Sequence, residues 1–526
     1  MEAKEAGAFV IKGRQSNLEI PSLIEALAKT AAQPQEIQAL QALVTESVAQ
    51  WRYKGEGAAH LVLSYAGGNP TSPLKGQVLR VEKRFKNGED GGKGPQGSHA
   101  LHIPADGLMW FQGTPVHVEN HELKEYAFVH NVMRPLIGPS YVHPGVPIVM
   151  TPAFLGALGA GVEQSRPELR RKDTEIDVDS KFAFLMPDLS LLPHAAPAAD
   201  ADATDGRVAP IICVEIKPKW GFLPYSPLIR APHSIKTRVC RYCMHQRLKL
   251  KKGEIDEISG EPARIRRALM DMLHVPQNNV KIYADGELAY TGSLGGKMKG
   301  ETTFDLEHLE RKMASVFAPA DDGSCISTMV DVLCRILHEE KVLPNLRSIQ
   351  QMDYLDIEGI YYLHKKIKEH GLDALANEWD ETTLQLFEGD SEDRERFVEK
   401  LKRGQLQEAD MVELIRDYLI SMTAKDCSIM ITLLPVPVPV PDPHHQPSHT
   451  SGERVVEENG RRYAFRVAVV DVDPKPVQNI PYWYRLDQEI VDHFIAQERQ
   501  LQESSNATTH TTPRCLFEHH TTTGAF

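Results

Sequence analysis

Apolar and polar positions along the chain fall into blocks that switch between two periods. Near the amino end, Ile24-Glu25-Ala26-Leu27 and Ile37-Gln38-Ala39-Leu40 repeat at helical spacing on either side of Pro34, which predicts two short helices. The pattern then becomes strand-like: Leu61-Val62-Leu63-Ser64-Tyr65 and Gln77-Val78-Leu79-Arg80-Val81-Glu82 flank Gly68-Asn69-Pro70, predicting an antiparallel pair joined by a turn. Phe182-Ala183-Phe184-Leu185-Met186 is a further strand, ended by Pro187-Asp188. The run Ala209-Pro210-Ile211-Ile212-Cys213, rich in β-branched residues, predicts a buried strand that leads into Val214-Glu215-Ile216-Lys217-Pro218-Lys219. Helical period resumes over 235–250, 328–346, 357–368 and 396–420. Two last strands, from Cys427 to Leu434 and from Tyr463 to Val470, are separated by alternating Pro and Val over 435–441, which cannot pair within a sheet.

These blocks divide the chain into a helical extension (1–50), a strand-rich first lobe opening on a glycine-rich loop (51–190), an Ala/Asp-rich linker or insertion (191–208), a second lobe of mixed α/β character (209–501) and a tail expected to be disordered (502–526). The glycine-rich stretch 87–97 reads as a loop. With 526 residues the chain can bury a core in each lobe.

Charge narrows the partners. Against 59 Lys and Arg stand 72 Asp and Glu, a net −13, which excludes general nucleic-acid binding but not a polyanionic ligand held by a local field. No apolar run is as long as a membrane span, and Met1-Glu2-Ala3-Lys4-Glu5 lacks a secretory pattern, so a cytoplasmic or nuclear monomer without membrane contact is expected. Seven scattered cysteines argue for reduced thiols; Cys240-x-x-Cys243 is the one close pair and, lacking a second pair, reads as helix-face residues. The histidine tracts at His444-His445 and His519-His520 carry no expected chemistry.

Three constellations could carry chemistry. Tyr53-Lys54-Gly55-Glu56-Gly57-Ala58-Ala59-His60 precedes a strand, and small residues there let backbone N–H groups approach phosphates; an ordinary hairpin entry is the plain alternative. Arg80 lies one strand later. Arg241, His245 and Lys249 fall at i, i+4 and i+8, one stripe on a helix, which is either a solvated face or, with Lys217 and Lys219, a basic wall for several phosphates. In an extended chain Glu215, Lys217 and Lys219 would project from one face. Asp426 precedes one apolar strand, and Asp471 and Asp473 end the next, with Lys475 close behind. Acids at strand ends are often turn residues, but this order also suits phosphoryl transfer, which uses one carboxylate for a hydroxyl proton and another for Mg²⁺.

With these residues in view, the chain resembles the inositol-pentakisphosphate 2-kinase family from about residue 55 to about residue 490. The matching blocks are Glu215-Ile216-Lys217-Pro218-Lys219 with Gly221-Phe222-Leu223-Pro224, Met244-His245-Gln246 with Lys249, Pro276-Gln277-Asn278-Asn279, Leu355-Asp356-Ile357-Glu358-Gly359, Thr423-Ala424-Lys425-Asp426-Cys427-Ser428, and Asp471 through Lys475 to Tyr484-Arg485-Leu486-Asp487. The resemblance implies an α/β (α+β), two-lobed kinase-like fold, with an antiparallel sheet in the first lobe and a mixed α/β second lobe with helical insertions. It implies transfer of the γ-phosphate of ATP, with Mg²⁺, to the axial 2-hydroxyl of inositol 1,3,4,5,6-pentakisphosphate, giving the hexakisphosphate. It makes Asp426 the base, with Lys217 beside it; Asp471 and Asp473 the metal ligands; and Gly55, Gly57, Arg80, Asp188 and Asp471 the nucleotide set, Asp188 marking the segment beside adenine. Arg170, Lys217, Lys219, Arg241, His245, Lys249, Asn278, Asn279 and Lys475 become the substrate set. His60 stands where the family has asparagine, Asn479 and Trp483 where plant members carry arginine and tyrosine, and the plant zinc site has no counterpart around His364. A catalytically silent polyphosphate-binding scaffold is the alternative, against which both aspartates count; a protein kinase is disfavoured by the lack of His-Arg-Asp and Asp-Phe-Gly triplets.

Overall fold

The computed structural model describes residues 34–69, 71–86, 121–192, 209–252, 265–274, 277, 279–291, 306–370, 400, 403, 408–436 and 454–504. The helix expected near Ile24, the stretches 87–97 and 193–208, the polyproline run beyond Val436, the tail beyond 504 and Asn278 lie outside these residues.

Two antiparallel sheets organise the described chain. The first contains β1 (Trp51–Glu56), β2 (His60–Tyr65), β3 (Gln77–Phe85), β4 (Val146–Val149), β5 (Thr174–Ile176) and β6 (Phe182–Pro187), ordered β1-β2-β3-β6-β4 with β5 on the far end of β3. The second contains β7 (Ile212–Ile216), β8 (Val280–Ala284), β9 (Glu287–Thr291), β10 (Ser428–Val436), β11 (Arg454–Glu458) and β12 (Arg461–Val470), ordered β11-β12-β10-β7-β8-β9. With thirteen α-helices among the described residues, the fold is mixed α/β, as the hydrophobic pattern indicates. None of these helices is long and apolar enough to cross a membrane.

Each sheet buries its own core. Leu61, Leu63, Leu79, Val81 and Ile148 of the first sheet pack against Leu155 and Leu158 of the helix Pro152–Val162. The larger second core sets Ile212, Val214, Ile216, Ile429, Ile431, Val467 and Val469 against the helices Cys325–Glu339, Val342–Gln350 and Glu408–Asp426. Strand β7 is buried along its whole length because it lies between β10 and β8, which explains its unbroken apolar run. A helical segment from His121 to Ile137 links the first sheet to the second core: Tyr126 stacks on Phe184 of β6, while Phe128, Met133 and Ile137 enter the second core. The β8–β9 and β11–β12 hairpins turn on Asp285-Gly286 and Asn459-Gly460, all four with positive φ, as two-residue turns matching strand twist require.

Some boundaries differ from the periodicity. The stretch 235–250 is a 3-10 turn, Ala231–Thr237, followed by a helix, Arg241–Lys251, whose start is capped by Cys240. The stretch 328–346 is split between Cys325–Glu339 and Val342–Gln350 by extended Glu340, and Pro344 sits in the first turn of the second helix, where its missing N–H costs nothing. The buried strand begins at Ile212 rather than Ala209, and the helix expected to end at 420, Glu408–Asp426 among the described residues, runs on to the aspartate itself.

Candidate active site

Strand register assembles the site. Ile216 of β7 pairs with Ile429 of β10 and with Val280 of β8, and Ser428 of β10 pairs with Val470 of β12. Four strand ends therefore share one rim, and the residues just beyond them, Lys217, Asp426, Asn279 and Asp471, converge although up to about 250 positions separate them in the chain. Asp426 also ends its helix, where carbonyl oxygens lack partners. The Lys217 Nζ donates to the Asp426 backbone carbonyl (3.1 Å) and lies 3.8 Å from its Oδ1 and 3.7 Å from Asp471 Oδ2. Lys219 Nζ is 3.5 Å from Asp426 Oδ1, and Lys475 Nζ is 3.1 Å from its Oδ2.

Three ammonium groups thus surround one carboxylate whose side chain is 51 % exposed. Burial pushes the Asp426 carboxyl up, but Lys475, Lys217 and Lys219 outweigh it and hold it at about 2. The lysines diverge. Burial favours the neutral amine in both, yet Asp426, Asp471 and Glu215 together raise Lys217 above its ordinary value, whereas at Lys219 the neighbouring ammonium groups add to burial and leave it lowered despite Asp426.

The shared-face expectation for Glu215, Lys217 and Lys219 fails past the strand end. Glu215 is buried within the sheet, accepting from Lys281 Nζ and from the Tyr283 hydroxyl (3.0 Å), and Lys219 takes a left-handed backbone, φ 57°. Buried Gln350 holds that turn: its Nε2 donates to the carbonyls of Lys219 (2.7 Å) and Ala424 (3.1 Å), and its Oε1 accepts from the Gly221 N–H (2.8 Å). One side-chain amide therefore ties the lysine loop to the turn carrying Asp426.

Behind Lys219 stands the basic wall. His245 is pushed down to about 3 by burial and by Arg241, Lys249 and Lys219, so it is a neutral donor among cations. Lys249 Nζ donates to Gln277 Oε1 (2.7 Å), and Arg241 lies over the Trp220 ring (5.2 Å) while donating to Asp487 Oδ1 (2.6 Å). The Asn279 carbonyl accepts the Lys217 N–H (3.0 Å), and its buried Oδ1 has no partner among the described residues.

The first sheet meets the rim region through Arg80, and it carries the glycine loop. A Cβ at Gly55 or Gly57 would meet nothing within 4 Å, so the loop backbone is open to a ligand. Its foot is an ionic cluster absent from the sequence reading: buried Lys83 donates to Gly57 O and Glu56 Oε2 (both 2.7 Å), and buried Arg166 clasps Glu56 and Thr174. Arg170 lies near enough to Lys83 to disfavour that lysine's charge, which puts it on the loop's side of the molecule. Arg80 of β3 reaches across to Asp473 and also meets His60 Nδ1 (2.8 Å), so Asp473 is occupied by a guanidinium while Asp471 stays exposed. Asp188 is buried, accepting from Lys54 Nζ (2.8 Å), which also donates to Ser190 Oγ and Gly286 O. Its carbonyl accepts from Arg466 (2.9 Å), making this segment a strap between the sheets.

Among the described residues one acidic trio, Asp356, Glu358 and Asp487, is close enough to hold a cation, but it already surrounds the Lys236 ammonium. Beside the lysines, Asp471 is a second exposed hard-oxygen donor next to Asp426.

A charged carboxylate ringed by ammonium groups, with an open glycine loop on a neighbouring sheet, fits a class: enzymes that act on phosphorylated ligands. The sequence model of the inositol-pentakisphosphate 2-kinase family matches residues 53–489, and the chain belongs to that family of kinases. It is 31 % identical over 462 residues to the inositol-pentakisphosphate 2-kinase of Oryza sativa subsp. japonica, covering 84 % of this chain and 93 % of the relative. Enzymes of the same name from Arabidopsis thaliana (28 % over 468 residues; 87 % and 96 % covered) and Danio rerio (28 % over 513; 86 % and 95 %) are also similar.

Proposed function

We propose that the protein transfers the γ-phosphate of ATP to the 2-hydroxyl of inositol 1,3,4,5,6-pentakisphosphate, giving the hexakisphosphate. The observation that supports this reading most is the convergence of Lys217, Lys219 and Lys475 on half-exposed Asp426, beside the Arg241, His245 and Lys249 wall.

In this reading Asp426 orients the attacking hydroxyl and takes its proton. At about 2 the free-enzyme carboxylate is a weak base. Substrate phosphates would neutralise the ammonium groups that depress it and add negative charge nearby, both of which raise its basicity when substrate is in place. Lys217, between Asp426 and Asp471, follows the phosphoryl group in transit, while Lys219, Lys475, Arg241, His245, Lys249, Asn279 and, from sequence, Asn278 and Arg170 hold the inositol phosphates. The Gly55–Gly57 backbone and Arg80 face the nucleotide phosphates, with adenine toward the Asp188 strap. Asp471, with Asp473 beside it, fits Mg²⁺ as an exposed oxygen donor. Bound there, the ion would neutralise nucleotide phosphate charge.

Purified protein with ATP, Mg²⁺ and the pentakisphosphate, resolved by anion exchange, should yield hexakisphosphate. Binding without turnover by folded protein would replace this reading with the silent scaffold, and transfer to peptides instead would replace it with a protein kinase.

A further inference from the structure

The structure assigns Asp487 the part of a positioning residue for Arg241, a role resting on the reading above that Arg241 meets a substrate phosphate. Asp487 lies on the helix Ile480–Ser504, its side chain buried, and splits its two oxygens between different cations. Oδ1 accepts from Arg241 Nη1 (2.6 Å) and Oδ2 from Lys236 Nζ (2.8 Å). Lys236 in turn meets Asp356 and Glu358, and Glu358 accepts from Arg230. Three carboxylates are thus matched by Lys236, Arg230 and Arg241, and Arg241 is the member that stacks on Trp220, next in the chain to Lys219. Its guanidinium is fixed on one edge by Asp487 and on one face by Trp220. Of its five N–H donors, one Nη1 N–H is committed to Asp487 Oδ1, so further donors remain with which it could meet an anion. A cation held this way is ordered before substrate arrives, and Lys236 keeps the Asp487 charge neutralised if Arg241 shifts toward a phosphate.

The test is a double-mutant cycle with Arg241→Gln, read by pentakisphosphate KM and kcat and by calorimetric binding of the pentakisphosphate, with thermal unfolding as a check. Asp487→Asn should raise KM and Kd about tenfold, the loss of one charge-assisted hydrogen bond, with kcat within about twofold. In the Arg241→Gln background the same change should add less than about twofold. Should Asp487→Asn not fold, Asp487→Glu keeps a charge for Lys236 while displacing the carboxylate, and should raise Kd in the same cycle. Unchanged affinity, or effects that multiply fully in the double variant, would overturn the inference. Wild-type protein that binds the pentakisphosphate without phosphorylating it leaves the calorimetric cycle decisive for Asp487, while removing the catalytic reading.

Discussion

Lys425 and Asp426 are neighbours in the chain but sit in opposite surroundings. Lys425 and its partner Asp353 are both 0 % exposed, 2.6 Å apart, and the ammonium is boxed by the rings of Trp220 (4.2 Å), Phe222 and Tyr418. Asp426 is half exposed, with three ammonium groups at 3.1 to 3.8 Å. The inner pair is matched one charge to one, through Asp353 Oδ2. The outer group is over-supplied with cations that no carboxylate fully uses, and surplus charge facing an opening is capacity for an anion. Residue type does not separate architecture from chemistry here; charge balance and exposure do.

The largest effect should come from emptying the outer cluster of its carboxylate. Asp426→Asn should lower kcat on the order of 10³-fold, about 4 kcal/mol of barrier. Pentakisphosphate should bind at least as tightly, because the lysines are then unopposed. Calorimetry beside kinetics checks both, and weakened binding would blur the contrast with the inner pair. Next, Asp353→Ala should destabilise by about 3 kcal/mol in urea unfolding, since Lys425 is left buried and alone, while Asp353→Leu with Lys425→Met should recover most of the loss. Within the outer cluster, Lys217→Met should depress chiefly kcat and Lys219→Met chiefly substrate affinity, each about tenfold; matching defects would show that the two amines do one job.

The smallest effect is in pH. Asp356, beside Lys236, is pushed up to about 6 by burial and by repulsion from Asp487 and Asp353, against the pull of Lys236. Its folded value lies above its unfolded one, so its stabilising contribution is full at acid pH and is lost as pH rises through 6. Asp426, held at about 2, contributes above the ordinary carboxylate range and loses that only as pH falls through 2. From pH 7 to 5 the wild type should therefore gain about 1 kcal/mol over Asp356→Asn in thermal or urea midpoints, while Asp426→Asn should track the wild type. A gain that survives in Asp356→Asn would place the titrating group elsewhere.

Much of this contrast was legible in the residue pattern. The strands announce themselves through apolar runs, and charged residues just past their ends, Lys217, Asp426 and Asp471, stand out because strand ends are where a sheet meets solvent. Their roles came from the family resemblance rather than from spacing. Gln350 was invisible: it lies 131 positions from the Lys219 carbonyl it holds, between the stretches 328–346 and 357–368 that read as helix. Lys83 and Arg166 were missed because a lysine in an alternating strand and an arginine before Pro167 look like surface residues until Glu56 is brought between them. Same-face alternation for Lys219 failed because it assumes an extended backbone, which the Gln350 clamp abolishes. Asp353 carries no local mark at all, since its meaning lies wholly in Lys425.

Among the described residues, five other than glycine have positive φ; Asp285 and Asn459 make tight hairpins, while Lys219, Asp356 and Asp471 all belong to the charged clusters. Glycine would take those three conformations without penalty, whereas a side chain there costs roughly 1 kcal/mol, less for aspartate than for lysine. Mutational drift at these positions is therefore biased: losing the charged group would relax the backbone. All three positions carry a charged side chain where glycine would sit more easily, so part of the cost of these clusters is held in torsion angles rather than in contacts.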